Sequence, residues 1–260
     1  MITIRYLGTC SGTEPFPGMH HCSLVMEIGG YNYWFDAGEG CAYTAHTNGV
    51  DVLKNRAIFI SHPHIDHIGG LPHLFMVMGK RIAMEKSALV HNNTVDIFFP
   101  GLERLECVKG VYSETGTVRR YNLIEHEMRD GLLFEDENVR ISAIHNRHMK
   151  EDGSNGWHAF SFLIEAEGKR IVFSGDVRAS EELDPFVEGG CDLLIHETGH
   201  HPVESVCQYA VSRKVKALRF NHHGREIIYG RKEAEELVAR YAAESGIPMK
   251  ILSDTDTDVL

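Results

Sequence analysis

The chain has 260 residues, 43% of them hydrophobic and 24% charged, enough to bury one sizeable core, and no apolar stretch approaches the roughly 20 residues of a membrane span. A formal net charge of −11 at pH 7 leaves little Lys and Arg surface for counterion release from a long polyanion, which disfavours nucleic acid as a partner. Six scattered cysteines without paired spacing argue against a disulfide framework and fit reduced thiols, so a cytoplasmic location without membrane attachment is expected.

In chain order, alternating or apolar runs predict strands over Ile2–Leu7, Cys22–Ile28, Tyr31–Phe35 after the Gly29–Gly30 turn, and Arg56–Ser61. The stretch Ser87–Glu137 carries little pattern. Strand signals return over Val139–Ile144, Ala159–Ala166, Arg170–Ser174, Leu193–His196, Lys216–Asn221 and Met249–Ser253. Helices are predicted over Val203–Arg213 and over Lys232–Ala243, where Ala234, Leu237, Val238 and Tyr241 share one face. Strands mixed with helices in both portions predict an α/β fold with two sheets covered by helices.

The densest chemistry is Ser61–Gly70, where His62, His64, Asp66 and His67 follow the apolar run Ala57–Ile60. Imidazole and carboxylate donors at this spacing, with no cysteine nearby, point to a catalytic divalent metal, Zn or else Mn or Fe, and away from a thiolate structural site. Four further candidates each end a predicted strand: Asp36, His145, Asp176 and His222, with His223 a rival for His222. His20, His21 and His148 lie in loops that either face the cleft or are solvated, the solvated loop histidine being the commoner outcome, and His196 is read as a support of the fold. Gly8, Gly12, Gly38 and Gly40 lack a phosphate-loop spacing and are read as turn glycines.

Together these residues resemble the metallo-β-lactamase superfamily, whose H-x-H-x-D-H motif is matched in full by His62, His64, Asp66 and His67. The resemblance implies a four-layer αββα sandwich forming a single hydrolase domain over residues 1–260, with a two-metal cleft at one edge of the sheets. It assigns His62, His64 and His145 to one metal, Asp66, His67 and His222 to the other, and Asp176 as the bridge. Asp36 then orients ligand imidazoles from behind, fixing tautomer and ring angle.

Within that superfamily Leu7–Gly12, Phe35–Gly40 and His196-Glu197-Thr198 resemble the ribonuclease Z branch. The branch implies a proton-donating His at the distance before the last ligand where His201 stands, paired with Glu197, and His200 is a close competitor. A carboxylate beside an imidazole keeps it protonated near neutrality, ready to donate to a leaving oxygen. The branch also commonly carries a long arm that grips transfer RNA. Here the stretch between His145 and Asp176 is filled by a loop over 150–156 and two strands joined by a Glu167–Gly168 turn, leaving no room for an arm.

The expected function is therefore a dinuclear metal-dependent phosphodiesterase acting on an anionic phosphodiester that is small or cyclic nucleotide-like, with Asp66, Asp176, Glu197 and His201 in catalytic roles. Ribonuclease Z-type transfer-RNA 3′ processing and hydrolysis of a thioester, lactone or other carbon ester in the same cleft are the alternatives. Association as a homodimer is compatible with the sequence.

Overall fold

A computed structural model describes residues 1–114, 120–149 and 156–260. Its elements in chain order are β1 (Ile2–Gly8), β2 (Ser23–Ile28), β3 (Tyr31–Phe35), α1 (Cys41–Thr47), β4 (Asn55–Phe59), α2 (Ile65–Ile68), α3 (Leu71–Glu85), β5 (Thr94–Phe99), α4 (Leu102–Glu114) and β6 (Asn122–Glu127). There follow β7 (Gly131–Glu135), β8 (Arg140–His145), β9 (Phe160–Ala166), β10 (Lys169–Phe173), α5 (Asp184–Val187), β11 (Leu193–Thr198), α6 (Val203–Ser212), β12 (Leu218–His223), α7 (Arg225–Ser245), β13 (Met249–Ile251) and β14 (Thr257–Val259). The chain divides into two compact units, one of residues 1–8, 15–128 and 254–260, the other of 9–14 and 129–253.

The first unit holds a seven-stranded sheet in the order β14-β1-β2-β3-β4-β5-β6. Strands β1 to β3 pair antiparallel and β3 to β6 parallel, and parallel neighbours require crossovers, which α1, α2 with α3, and α4 supply. Helix α3 starts with a proline in its first turn and buries Leu71, Leu74, Phe75, Met78 and Ile82 at helical spacing. That stripe packs on Val25, Trp34, Ile58 and Ile97 of the sheet. The indole N–H of fully buried Trp34 donates to Asn55 Oδ1 at 2.8 Å, so the core tolerates the polar atom.

Elements in the weakly patterned stretch have a physical reason for being illegible. Strand β5 is six residues and almost wholly buried, a continuous run that periodicity cannot distinguish from a helix segment. Strand β6 lies at the sheet edge and is partly exposed, so no strong apolar alternation is needed.

The second unit holds a seven-stranded sheet in the order β13-β12-β11-β10-β9-β8-β7, antiparallel from β7 to β10 and parallel from β10 to β13. Val203, Val206, Cys207 and Ala210 of α6 and Ala234 and Val238 of α7 pack on Leu194, Leu218 and Phe220. Helix α7 begins at Arg225, before the predicted Lys232, because non-helical Gly230 (φ −123°, ψ 36°) interrupts it and breaks the apolar period there. The loop predicted over 150–156 lies, except for Gly156, outside the described residues. Among the described residues no helix is long and apolar enough to cross a membrane, and all six cysteines are free thiols.

His196 sits at the heart of the second sheet, fully buried, with Nδ1 2.7 Å from the Glu197 carbonyl and Nε2 3.0 Å from Ser180 Oγ. Burial pushes its pKa down to about 4, partly opposed by the Glu197 charge. The unfolded chain therefore binds a proton near pH 6.5 that the folded chain refuses until about pH 4. Stability should fall by about 1.4 kcal/mol per pH unit across that window as pH is lowered, beyond any carboxylate contribution. Urea denaturation of wild type and His196→Gln between pH 4 and 7 should show the extra slope in wild type alone.

Candidate metal centre

In the first unit the motif occupies the turn after β4 and the short helix α2, and Asp36 ends the neighbouring strand β3. Asp36 takes a left-handed backbone (φ 58°), a conformation Asp tolerates better than most residues, and its carboxylate turns toward Ser61. Oδ1 accepts the Ser61 N–H at 2.6 Å, while Oδ2 accepts Ser61 Oγ–H and His67 Nδ1–H, each at 2.8 Å. Because the Ser61 hydroxyl gives its proton to Asp36, it can only accept from His62 Nδ1, 3.0 Å away. One carboxylate thus dictates two tautomers, placing the lone pairs of His62 and His67 on Nε2.

Those two nitrogens each face a second donor. His62 Nε2 lies 2.9 Å from His64 Nδ1, and His67 Nε2 lies 3.4 Å from Asp66 Oδ2. Donors about 2.1 Å from one tetrahedral ion sit about 3.4 Å apart, so the Asp66–His67 pair has metal-ligand spacing, while the His62–His64 pair stands closer, at hydrogen-bond distance. Gly38 is required behind them, since a Cβ there would stand 2.4 Å from the Asp66 carbonyl oxygen.

In the second unit Asp176, Glu197, His200 and His222 converge. His222 Nδ1 is 3.3 Å from Asp176 Oδ1, and His148 Nε2 and His200 Nδ1 are 3.6 and 3.7 Å from Asp176 Oδ2. Asp176, His200 and His222 form a group able to hold an ion, and the nitrogen and oxygen donor set suits Zn or Mn. The residues present fit the metal chemistry in both units.

A sheet irregularity decides between His222 and His223. Glu197 pairs with Asn221 and Thr198 with His223, so His222 is an extra residue bulged out of the β11–β12 ladder, with φ 48°. Such a bulge re-aims a side chain, here toward Asp176. His223 returns to the ladder, fully buried, and its Nε2–H donates to the Leu252 carbonyl at 2.8 Å. Burial pushes its pKa down to about 3, so it stays neutral and structural. Gly199 makes room for the bulge: a Cβ there would lie 2.6 Å from His222 Nδ1.

Two sequence assignments meet different surroundings. His145 is absent from the donor group around Asp176: Asp130 accepts its backbone N–H at 2.6 Å and its Nδ1–H at 2.7 Å, which leaves its Nε2 lone pair available, and its ring stacks on Trp157 at 4.2 Å. His148, one of the loop histidines for which the sequence leaves both a cleft-facing and a solvated reading open, stands beside Asp176 together with His200 and His222. Likewise His201 Nε2 donates to the Val177 carbonyl at 3.0 Å and is 3.5 Å from Glu197 Oε1. His200 is the imidazole that Glu197 holds most directly, with Nδ1 3.2 Å from Oε1 and its backbone N–H 2.9 Å from Oε2.

Electrostatics follow from these contacts. Burial opposes ionisation of Glu197, but hydrogen bonds from His200 and His222 outweigh it and hold the carboxyl well below the usual range, against a push from Asp176. The same Glu197 bond raises the pKa of His200, with burial opposing. Glu197 thus favours the protonated form of His200, 3.7 Å from Asp176.

A family model described as "Anti-Pycsar protein Apyc1" matches residues 2–210. Ribonuclease Z of Methanothermobacter thermautotrophicus is 27% identical, over 85% of this chain and 86% of that relative. The crystal structure of the short form of human tRNase Z superposes with a TM-score of 0.74 at 20% identity, covering 99% of this chain and 98% of that one. The metallo-beta-lactamase fold protein YhfI from Bacillus subtilis gives 0.73 at 15% identity, covering 99% and 98%. These likenesses establish the metallo-β-lactamase fold and the ribonuclease Z-like branch of that superfamily.

Asp36→Ala should weaken Zn²⁺ binding roughly 10–100-fold in competition with a chelating dye, because two imidazoles lose their enforced tautomers. His222→Ala should lose metal, whereas His223→Ala should keep metal and lose about 1–3 kcal/mol of stability through the cavity and the loss of one of the two bonds to the Leu252 carbonyl, the other coming from Arg231. Metal content and melting temperature of the two variants separate the roles; the opposite pairing would reverse them.

Proposed function

The chain belongs to the Anti-Pycsar protein Apyc1 family and is a metal-dependent hydrolase of the metallo-β-lactamase fold, and from that premise we propose a dinuclear phosphodiesterase acting on a small, cyclic nucleotide-like phosphodiester. Residues 1–260 act in this reading as one hydrolase domain. The proposed ligands are His62, His64, Asp66, His67, Asp176 and His222, with His148 in the place the resemblance gives to His145. When bound, two divalent ions supply a water acidified toward neutrality and a positive field for phosphoryl oxygens.

The observation that carries the reading is the Glu197–His200 pair, in which a buried carboxylate raises the pKa of an imidazole that stands 3.7 Å from the bridging-ligand candidate. A dedicated proton donor serves an alkoxide leaving from phosphorus, whose protonation is part of the difficult step. His200 Nδ1 contacts Glu197, so its Nε2–H is the proton available for transfer. His201 supports the turn after Asp176 through the Val177 carbonyl. Asp36 holds the ligand tautomers, and Asp66 and Asp176 bring carboxylate charge to the ions. The chain's net charge of −11 favours a small diester over a long polyanion.

A second reading, transfer-RNA 3′ processing, is favoured by the ribonuclease Z relative, since that protein by its name cleaves RNA. A cyclic-nucleotide panel set against a transfer-RNA precursor distinguishes the two. Hydrolysis of bis-p-nitrophenyl phosphate against a thioester panel tests the phosphodiesterase reading itself; preference for thioesters would sink it.

His200→Ala should slow turnover by roughly 10²–10⁴-fold with metal content unchanged, and more than His201→Ala does. Wild-type rate should fall as pH rises through the raised His200 pKa, because the donor form is lost, and that alkaline limb should be missing in His200→Ala. His148→Ala should lose bound metal while His145→Ala retains it, as read by plasma emission spectrometry.

A further inference from the structure

Glu182 is not among the candidate ligands, yet its two carboxylate oxygens are engaged by segments far apart in sequence. Oε2 accepts the Arg178 N–H at 3.0 Å and the Ala179 N–H at 3.4 Å, closing the turn that follows Asp176. Oε1 accepts the Arg147 N–H at 3.0 Å, one residue before His148. Capping of the short 3₁₀ helix Ser180–Leu183 accounts for Oε2, because Ala179 is its N-cap and Glu182 its third residue. It leaves Oε1 unexplained.

The neighbouring amide shows what the second contact does. The His148 N–H donates to Asn146 Oδ1 at 3.0 Å, Asn146 Nδ2 donates to Ser161 Oγ at 3.1 Å, and Ser161 Oγ–H donates to the Ser174 carbonyl at 2.6 Å. Two consecutive amides are thus tied, by separate routes, to the two sides of the turn that presents Asp176. One route passes through buried Asn146 and Ser161 to Ser174, and the other through Glu182 to Arg178. Between these tethers His148 Nε2 stands 3.6 Å from Asp176 Oδ2. Bonds from amides to an ionised carboxylate are the stronger kind, so Glu182 supplies the firmer of the two tethers.

We propose that Glu182 is a positioning residue of the metal centre, holding the His148 segment at ligand distance from Asp176 so that metal binding need not order it. The inference rests on His148 being a ligand, as in the proposed function. Zn²⁺ affinity, measured by competition with a fluorescent chelator, and the metal-free melting temperature are compared for wild type, Glu182→Ala, His148→Ala and the double variant. Glu182→Ala should lose roughly 10–100-fold in Zn²⁺ affinity. In the His148→Ala background the same change should cost less than about twofold, because its effect runs through the missing imidazole. Should Glu182→Ala fail to fold, Glu182→Asp, which withdraws the carboxylate by one methylene, carries the same cycle. Equal losses in both backgrounds, or a lowered melting temperature with affinity intact, would overturn the inference and leave the phosphodiesterase reading standing. Unchanged affinity in His148→Ala would overturn the ligand assignment and this inference together.

Discussion

A metal centre built on imidazoles needs ring nitrogens with their lone pairs facing inward, and in the first unit a single buried carboxylate enforces this. The buried carboxylate of Asp36 is satisfied without solvent, because the Ser61 amide, the Ser61 hydroxyl and His67 all donate to it. The polarity of those bonds propagates: Ser61 has no proton left for His62, so His62 must donate from Nδ1. Cost and benefit are linked in one residue, since the strained φ of 58° at Asp36 is what brings its oxygens within reach of Ser61.

The second unit solves a similar problem by breaking a regular ladder. A strand alternates its side chains, so His222 and His223 in register would face opposite sides of the sheet. The bulge at His222 releases one imidazole toward Asp176 and returns the next to the core, where Leu252 satisfies it. Glu197, on the adjacent strand, then sits where it can hold both the ring and the backbone N–H of His200. Strand irregularity, buried charge and proton supply are therefore one arrangement, and the pKa directions of Glu197 and His200 are its electrostatic signature.

Charge also bears on what the centre accepts. A chain at −11 repels polyanions at long range, while an ion pair bound among these donors would make the immediate surroundings attractive to one phosphoryl group. The likeness to ribonuclease Z and the net negative charge pull in different directions as regards substrate size.

The sequence alone determined that His62, His64, Asp66 and His67 would cluster, because they are nearly contiguous and a turn after a strand brings such residues together whatever the rest of the chain does. It also determined most of the central strands, whose apolar runs are long enough to read, and helix α6, whose stripe is unbroken. What only the tertiary structure shows is how near neighbours in sequence differ in surroundings: His148 stands beside Asp176 while His145 bonds Asp130, His200 bonds Glu197 while His201 bonds the Val177 carbonyl, and His222 leaves the ladder while His223 stays in it. Each turns on a local departure from regular geometry, namely a loop tethered by Asn146 and Glu182, a tight turn under Glu197, and a bulge. Such departures are set by hydrogen-bond partners tens of residues away, and no periodicity in the sequence reports them.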